Sequence, residues 1–201
     1  MPSTNTSRAK RASGGPQSRT PSTTDAKGES IFDLLIADHR LVAAVFDEMK
    51  ELLEEDEPDA EECKAALMTI DALLTPHARA EERLVYPAFT EGNEDAEDPV
   101  AEGYEEHALV HQLMAQIKEL TEVDVGWCAK CKVMMDLVEH HVREEEGEQF
   151  KAARKGLDGA TAIDLGAQFE AAKMEIAQEL GLPAPEELQL PKPKRTAPAK
   201  A

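Results

Sequence analysis

Apolar residues recur along the chain at alternating spacings of three and four. The first series runs Phe32, Leu35, His39, Val42, Phe46, Met49, Leu53, the period of one buried helix face. Ser30 stands where such a helix needs a capping oxygen. A second series is Cys63, Leu67, Ile70, Leu74, His77, Glu81, Leu84, Ala88, and it passes unbroken through a histidine and a glutamate. Pro76 lies inside it; the lost donor and the ring clash predict a kink just before His77. The loop FTEGNED should end this helix. A third series follows Pro99, with Val100, Tyr104, His107, His111, Met114 and Ile117. The fourth follows TEVDVGW, with Trp127, Cys131, Met134, Val138, His141 and Glu145. The stretch DLGAQFEAAKMEIAQELG predicts a fifth helix, stopped by Gly181 and Pro183.

Four amphipathic helices joined by short loops predict an all-α fold, an up-down-up-down four-helix bundle over residues 30–155. The accessory helix, within 156–184, should pack outside it. Residues 1–29 are basic and rich in Ser, Thr, Pro and Gly, and residues 185–201 are basic and rich in Pro. Both read as disordered tails, because neither can bury enough apolar surface to offset its ordering entropy. With 31% charged and only 4% aromatic residues, the composition also favours helices over sheets.

Charge is unevenly spread. Residues 1–28 and 188–201 each carry +4, so the net −19 leaves −27 on the segment between them. Such a segment repels nucleic acid and anionic membrane; only the tails offer weak attraction to nucleic acid or an acidic partner. No apolar run reaches the ~18 residues of a membrane span, and the start MPSTNTSRAKR lacks the apolar core of a secretory signal. The expectation is a soluble, cytoplasmic protein. Three cysteines, an odd number, argue against a disulfide framework. The motif WCAKC resembles a redox dithiol in spacing but lacks a βαβ context, and Cys131 falls on the core stripe as a small apolar filler.

Five of the six histidines, His39, His77, His107, His111 and His141, lie on core-facing stripes together with Glu81 and Glu145. Buried imidazoles need partners for both nitrogens, and a buried carboxylate is costly unless paired or coordinated. Bound cations satisfy all seven groups at once. His77 and Glu81, His107 and His111, and His141 and Glu145 are each one helical turn apart, so each pair can reach a metal from one helix. Five nitrogens and two carboxylates exceed the needs of one four-coordinate zinc and suit two octahedral ions. Imidazole and carboxylate without thiolate favour iron over manganese or zinc. No histidine has a glutamate three residues before it, which disfavours a ferritin-like arrangement. Of the neighbouring groups, Glu82, Glu146, Asp38, Glu106, Glu139 and His140 are expected on the solvated surface. Tyr86 and Tyr104 are expected to pack or to donate to a ligand.

The segments ADHRLV, HARAEERLVYP, EEHALVH and EHHVREEE together resemble the hemerythrin-like, HHE-type cation-binding proteins over roughly residues 30–155. The resemblance implies a non-haem di-iron centre in a four-helix bundle. By that analogy His107, His111 and His141 hold one iron. His39 and His77 hold the other, which keeps a position open for dioxygen, while Glu81 and Glu145 bridge. Oxygen-carrying hemerythrins place an aspartate five residues after the last helix's histidine; here Glu145 lies four after His141. Sensing, iron handling and redox chemistry therefore stand beside oxygen carriage.

The sequence thus points first to a di-iron protein binding dioxygen or a related small ligand, such as nitric oxide or peroxide. A second reading is a di-iron oxidoreductase acting on peroxide or nitric oxide. A third is a non-catalytic iron-handling or signalling module. No nucleophile triad, phosphate loop or nucleotide fingerprint is present in the sequence.

Overall fold

The predicted periodicities become four antiparallel rods in the computed structural model, which describes residues 28–188 and 190. The first rod is α1, Ile31–Leu53. Ser30 caps it by accepting from the Asp33 amide, and Asp33 reaches back to the Ser30 amide. Every residue of the first stripe is buried. The second rod is α2, Ala60–Ala80, capped by Asp59. It continues through a π-helical turn, Glu81–Val85, into α3, Tyr86–Thr90. A short 3₁₀ turn, Glu94–Ala96, leads to the third rod, α4, Glu97–Glu119. The fourth is α5, Val125–Glu144, capped by Asp124, followed by a second π turn, Glu145–Gln149, and α6, Phe150–Gly156. Helix α7, Gly159–Leu180, has Asp158 as its cap and ends at Gly181, whose φ of 65° is the left-handed conformation glycine adopts without strain. It packs against α1 and α2, outside the bundle as expected. Among the described residues there is no strand, and no helix is long and apolar enough to cross a membrane. The readings of residues 1–27, 189 and 191–201 as tail lie outside the described residues.

Helix α2 runs uninterrupted through Pro76. The irregularity falls instead just after it, at Glu81. In each π turn the amide following the turn reaches back five residues, Tyr86 N–H to Glu81 C=O and Phe150 N–H to Glu145 C=O. One extra residue is thereby inserted into the helical winding. The buried face consequently shifts by one position, from the expected Leu84 and Ala88 to Val85 and Phe89. Both alternatives are apolar, so hydrophobicity alone could not separate them.

Two apolar clusters flank the level of the histidines. One contains Phe46, Met49, Ile70, Ile117, Trp127 and Met134. The other contains Phe32, Leu35, Tyr86, Phe89, Phe150 and Phe169. Cys63 and Cys131 are buried in the first cluster, as a small apolar residue would be; Cys128 is half-buried, and all three are free.

Candidate metal centre

Between these clusters all four rods turn polar groups inward. His39, His77, Glu81 and Glu145 each place a ligating atom within 4.8 Å of the others, and Glu81, His107 and His141 form a second such group. Glu81 belongs to both. Its Oε2 lies 3.3 Å from His77 Nε2 and 3.5 Å from His107 Nε2. Glu145 Oε2 lies 3.1 Å from His39 Nε2 and 3.9 Å from His141 Nε2. Both glutamates are fully buried, and each opens a π turn.

His107 Nε2 and His141 Nε2 lie 3.1 Å apart, within hydrogen-bond reach of each other, but the other ligating atoms are left open. His39 Nε2 and all four carboxylate oxygens of Glu81 and Glu145 are buried and without a hydrogen-bond partner. Each such orphan costs on the order of 1–3 kcal/mol, and more where charged. Bound cations would satisfy them together, so the donor set fits a metal pair. Glu81 is pushed well up from the usual carboxylate range by burial and by the neighbouring Glu145 charge. Burial acts against ionised Glu145 too, but the nearby His39 overrides it and holds the carboxyl at about 2. Burial also opposes a charge on His39, yet Glu145 and Glu146 raise it to about 9. His107, by contrast, is lowered to about 4 by burial.

Four acids on neighbouring rods hold the imidazoles, which the sequence pattern does not reveal. His77 Nδ1 is 3.0 Å from Asp38, and His107 Nδ1 is 3.1 Å from Glu82. His141 Nδ1 is 2.7 Å from Glu106, and His39 Nδ1 is 2.9 Å from Glu146. An Nδ1–H donating to a carboxylate leaves the Nε2 lone pair for the centre and fixes the ring. These four acids were expected on the solvated surface. Each is the chain neighbour of a residue in the two clusters, and each serves the histidine of the next rod. Asp38 of α1 serves α2, Glu82 serves α4, Glu106 of α4 serves α5, and Glu146 serves α1. The supports close into a ring. An acid beside each of these residues was the available signal, but a solvated helix face produces the same pattern. Glu139 conforms to expectation and pairs with Lys50 at the surface, and His140 is exposed.

Helix α7 adds a further contact. Lys173 reaches Asp38 at 2.5 Å, and the Phe169 ring meets His77 edge-on at 5.6 Å. Tyr86 is fully buried with its hydroxyl 3.3 Å from His107 Nε2. Burial and nearby carboxylates raise its pKa, so it keeps its proton. Gly103 makes room for it: a Cβ there would sit 2.8 Å from Tyr86 Oη. Tyr104 departs from the expected core position; it is 39% exposed, packs edge-on against Tyr86 and donates to the Glu82 carbonyl.

His111 stands apart. It is half-buried and belongs to neither cluster, but its Nε2 is buried and unpartnered. It borders an apolar cavity also lined by Val42, Leu74, Val110, Met114 and Val138 and by the other four core histidines. The space open to the centre of a water-sized molecule there is about 20 Å³.

Comparison with known proteins places this geometry. A curated relative from Nostoc sp. described as a DNA nickase is 29% identical over 157 residues, covering 78% of this chain. The chain spans only 43% of that relative's length. A crystal structure of a hemerythrin HHE cation-binding domain-containing protein from Mycobacterium kansasii superposes with a TM-score of 0.61 at 20% identity, covering 76% of this chain and 93% of that one; it supports the fold. The family model for the hemerythrin HHE cation-binding domain matches residues 30–153, well over half of the sequence, and the chain belongs to that family.

Proposed function

We propose that the chain is a non-haem di-iron protein that binds dioxygen or a comparably small ligand at its centre. The observation that carries this reading is the set of buried, unpartnered nitrogen and oxygen atoms converging from four rods beside a small apolar cavity. His39 and His77 would hold one ion and His107 and His141 the other, with Glu81 and Glu145 between them. His111, with its free Nε2 at the same cavity, would complete the second set. Such a pair, when bound, would supply electron donation to a small ligand. The protein's part is to fix the rings through Asp38, Glu82, Glu106 and Glu146, to exclude bulk water, and to keep a proton on Tyr86 Oη. Proteins of this family are typically non-catalytic carriers of metal or oxygen, which supports binding over turnover. The free cysteines fit a reducing, cytoplasmic compartment.

Nicking of DNA is not assigned to this chain, since the acidic bundle repels a polyanion.

Metal analysis after anaerobic iron loading, with an absorption spectrum before and after oxygen, tests the proposal. The expected result is about two irons per chain and a reversible oxygen-dependent band. Loss of iron on His141→Ala but not on His140→Ala would support the ligand assignment. No retained transition metal would overturn the reading. Sustained peroxide or nitric oxide turnover would point to an oxidoreductase, and a loaded centre inert to all three to an iron-handling module.

A further inference from the structure

A second cavity, about 140 Å³, opens on the far side of Glu106 from the centre, between α4 and the second π turn. Asp98, Glu102 and Glu106 line it as one ladder along α4, four residues apart. Glu144, Glu148 and Gln149 face them. No lysine or arginine is among its lining residues. The ladder runs from exposed Asp98 and Glu102 inward to buried Glu106. Like charges one turn apart repel along a helix, and here five carboxylates border one space, with exposed His140 3.6 Å from Glu106 as a neighbouring titratable group.

Gln149 supplies an independent pointer. It is 1% exposed, and its Nε2 donates to the Pro99 carbonyl at 3.0 Å. Its Oε1 is buried without any partner, leaving a carbonyl-type oxygen for an occupant of the cavity. Resting on the di-iron reading above, we infer that this cavity is a loading vestibule for a hydrated divalent cation on its way to the centre. The carboxylates do not converge as the two inner clusters do, so they suit an ion that keeps its water. The space is well above the roughly 10–15 Å³ that one water needs on this measure, so it admits an ion with several of its waters. Glu106 is the threshold: it lines the vestibule, its Oε2 lies 2.7 Å from His141 Nδ1, and its Oε1 lies 3.6 Å from His140 Nε2. The π turn is what brings Glu148 and Gln149 to this wall.

The test uses the full chain, metal-free, and the variant Glu102→Gln/Glu148→Gln, which leaves all cluster residues and their four supporting acids intact. Anaerobic uptake of limiting iron(II) is followed by timed chelator capture. Uptake by the variant should be roughly tenfold slower, with the same final iron content and the same absorption spectrum. Glu61→Gln/Glu62→Gln removes equal charge at a distant exposed site and should load at the wild-type rate. Equal rates in all three proteins, or equal slowing in both variants, overturns the vestibule. A second readout is independent of the centre: a manganese(II) titration by electron paramagnetic resonance should count one more weakly held ion in the wild type than in Glu102→Gln/Glu148→Gln. Equal counts overturn the site. If the wild type takes up no iron but the manganese difference persists, the di-iron reading fails while the cation site stands.

Discussion

Glu82 shows how a single exposed-looking acid acts on the interior. Its carboxylate is about one-third exposed, yet it accepts from His107 Nδ1, and that contact lowers its pKa. Glu82→Gln should weaken iron binding by about 10–100-fold in a chelator competition, without unfolding the bundle. Asp38 offers a proton-linked test on the metal-free protein. Burial disfavours its charge, but His77 and Lys173 outweigh burial and hold its pKa at about 2. A depressed folded pKa contributes stability above the unfolded value and loses it as pH falls through the folded one. Asp38→Asn should therefore cost roughly 2 kcal/mol at pH 5 to 6. The difference from wild type should shrink between pH 4 and pH 2 in denaturant titrations. At this scale the inward-facing residues were legible because a histidine or glutamate on an apolar stripe violates its pattern. The supporting acids were not, because an acid beside a ligand obeys the polar pattern until its partner on another rod is known.

At the scale of elements, the first stripe was readable in full because α1 is regular from end to end. The second failed beyond Glu81, where Leu84 and Val85, or Ala88 and Phe89, satisfied the apolar requirement equally. A π turn changes backbone pairing without demanding a distinctive residue type. Its trace is only the phase shift downstream. The same logic yields a deletion test. Gly147 lies inside the second π turn, and a Cβ placed on it would meet no atom within 4 Å. Removing it would convert the turn to ordinary α winding and leave Phe150 and Ala153 in phase with the core. The deletion variant should keep its helical circular dichroism and cooperative melting but bind iron poorly, since Glu145 and Glu146 are re-aimed. Deleting Val133 from the regular part of α5 should instead rotate every following residue by ~100° and abolish cooperative folding.

At the scale of the whole molecule, the candidate metal centre and the bundle share one core. The two apolar clusters are separated by a polar layer that the chain alone leaves unsatisfied. Metal occupancy should then contribute directly to stability, by about 2.7 kcal/mol at a free metal concentration of one hundred times Kd. Stripping the iron with a chelator should lower the melting temperature in calorimetry, and re-addition should restore it. An unchanged melting temperature would mean that the polar layer is satisfied some other way. The overall architecture was accessible from sequence because four stripes of similar length and short loops admit few topologies. The placing of α7 outside the bundle was accessible too, but its contact with the centre was not, since that contact runs through Phe169 and Lys173.

The ring of four acids gives the centre a particular kind of integrity. A linear series of supports has a first and a last member, and loosening can start at either. A closed circuit has neither. When one rod withdraws, it takes away its own ligand and also the brace of the next rod's ligand, so damage passes around rather than stopping. Half-assembled centres should accordingly be scarce. Native mass spectrometry during slow demetallation should show chains with two irons and chains with none, and few with one.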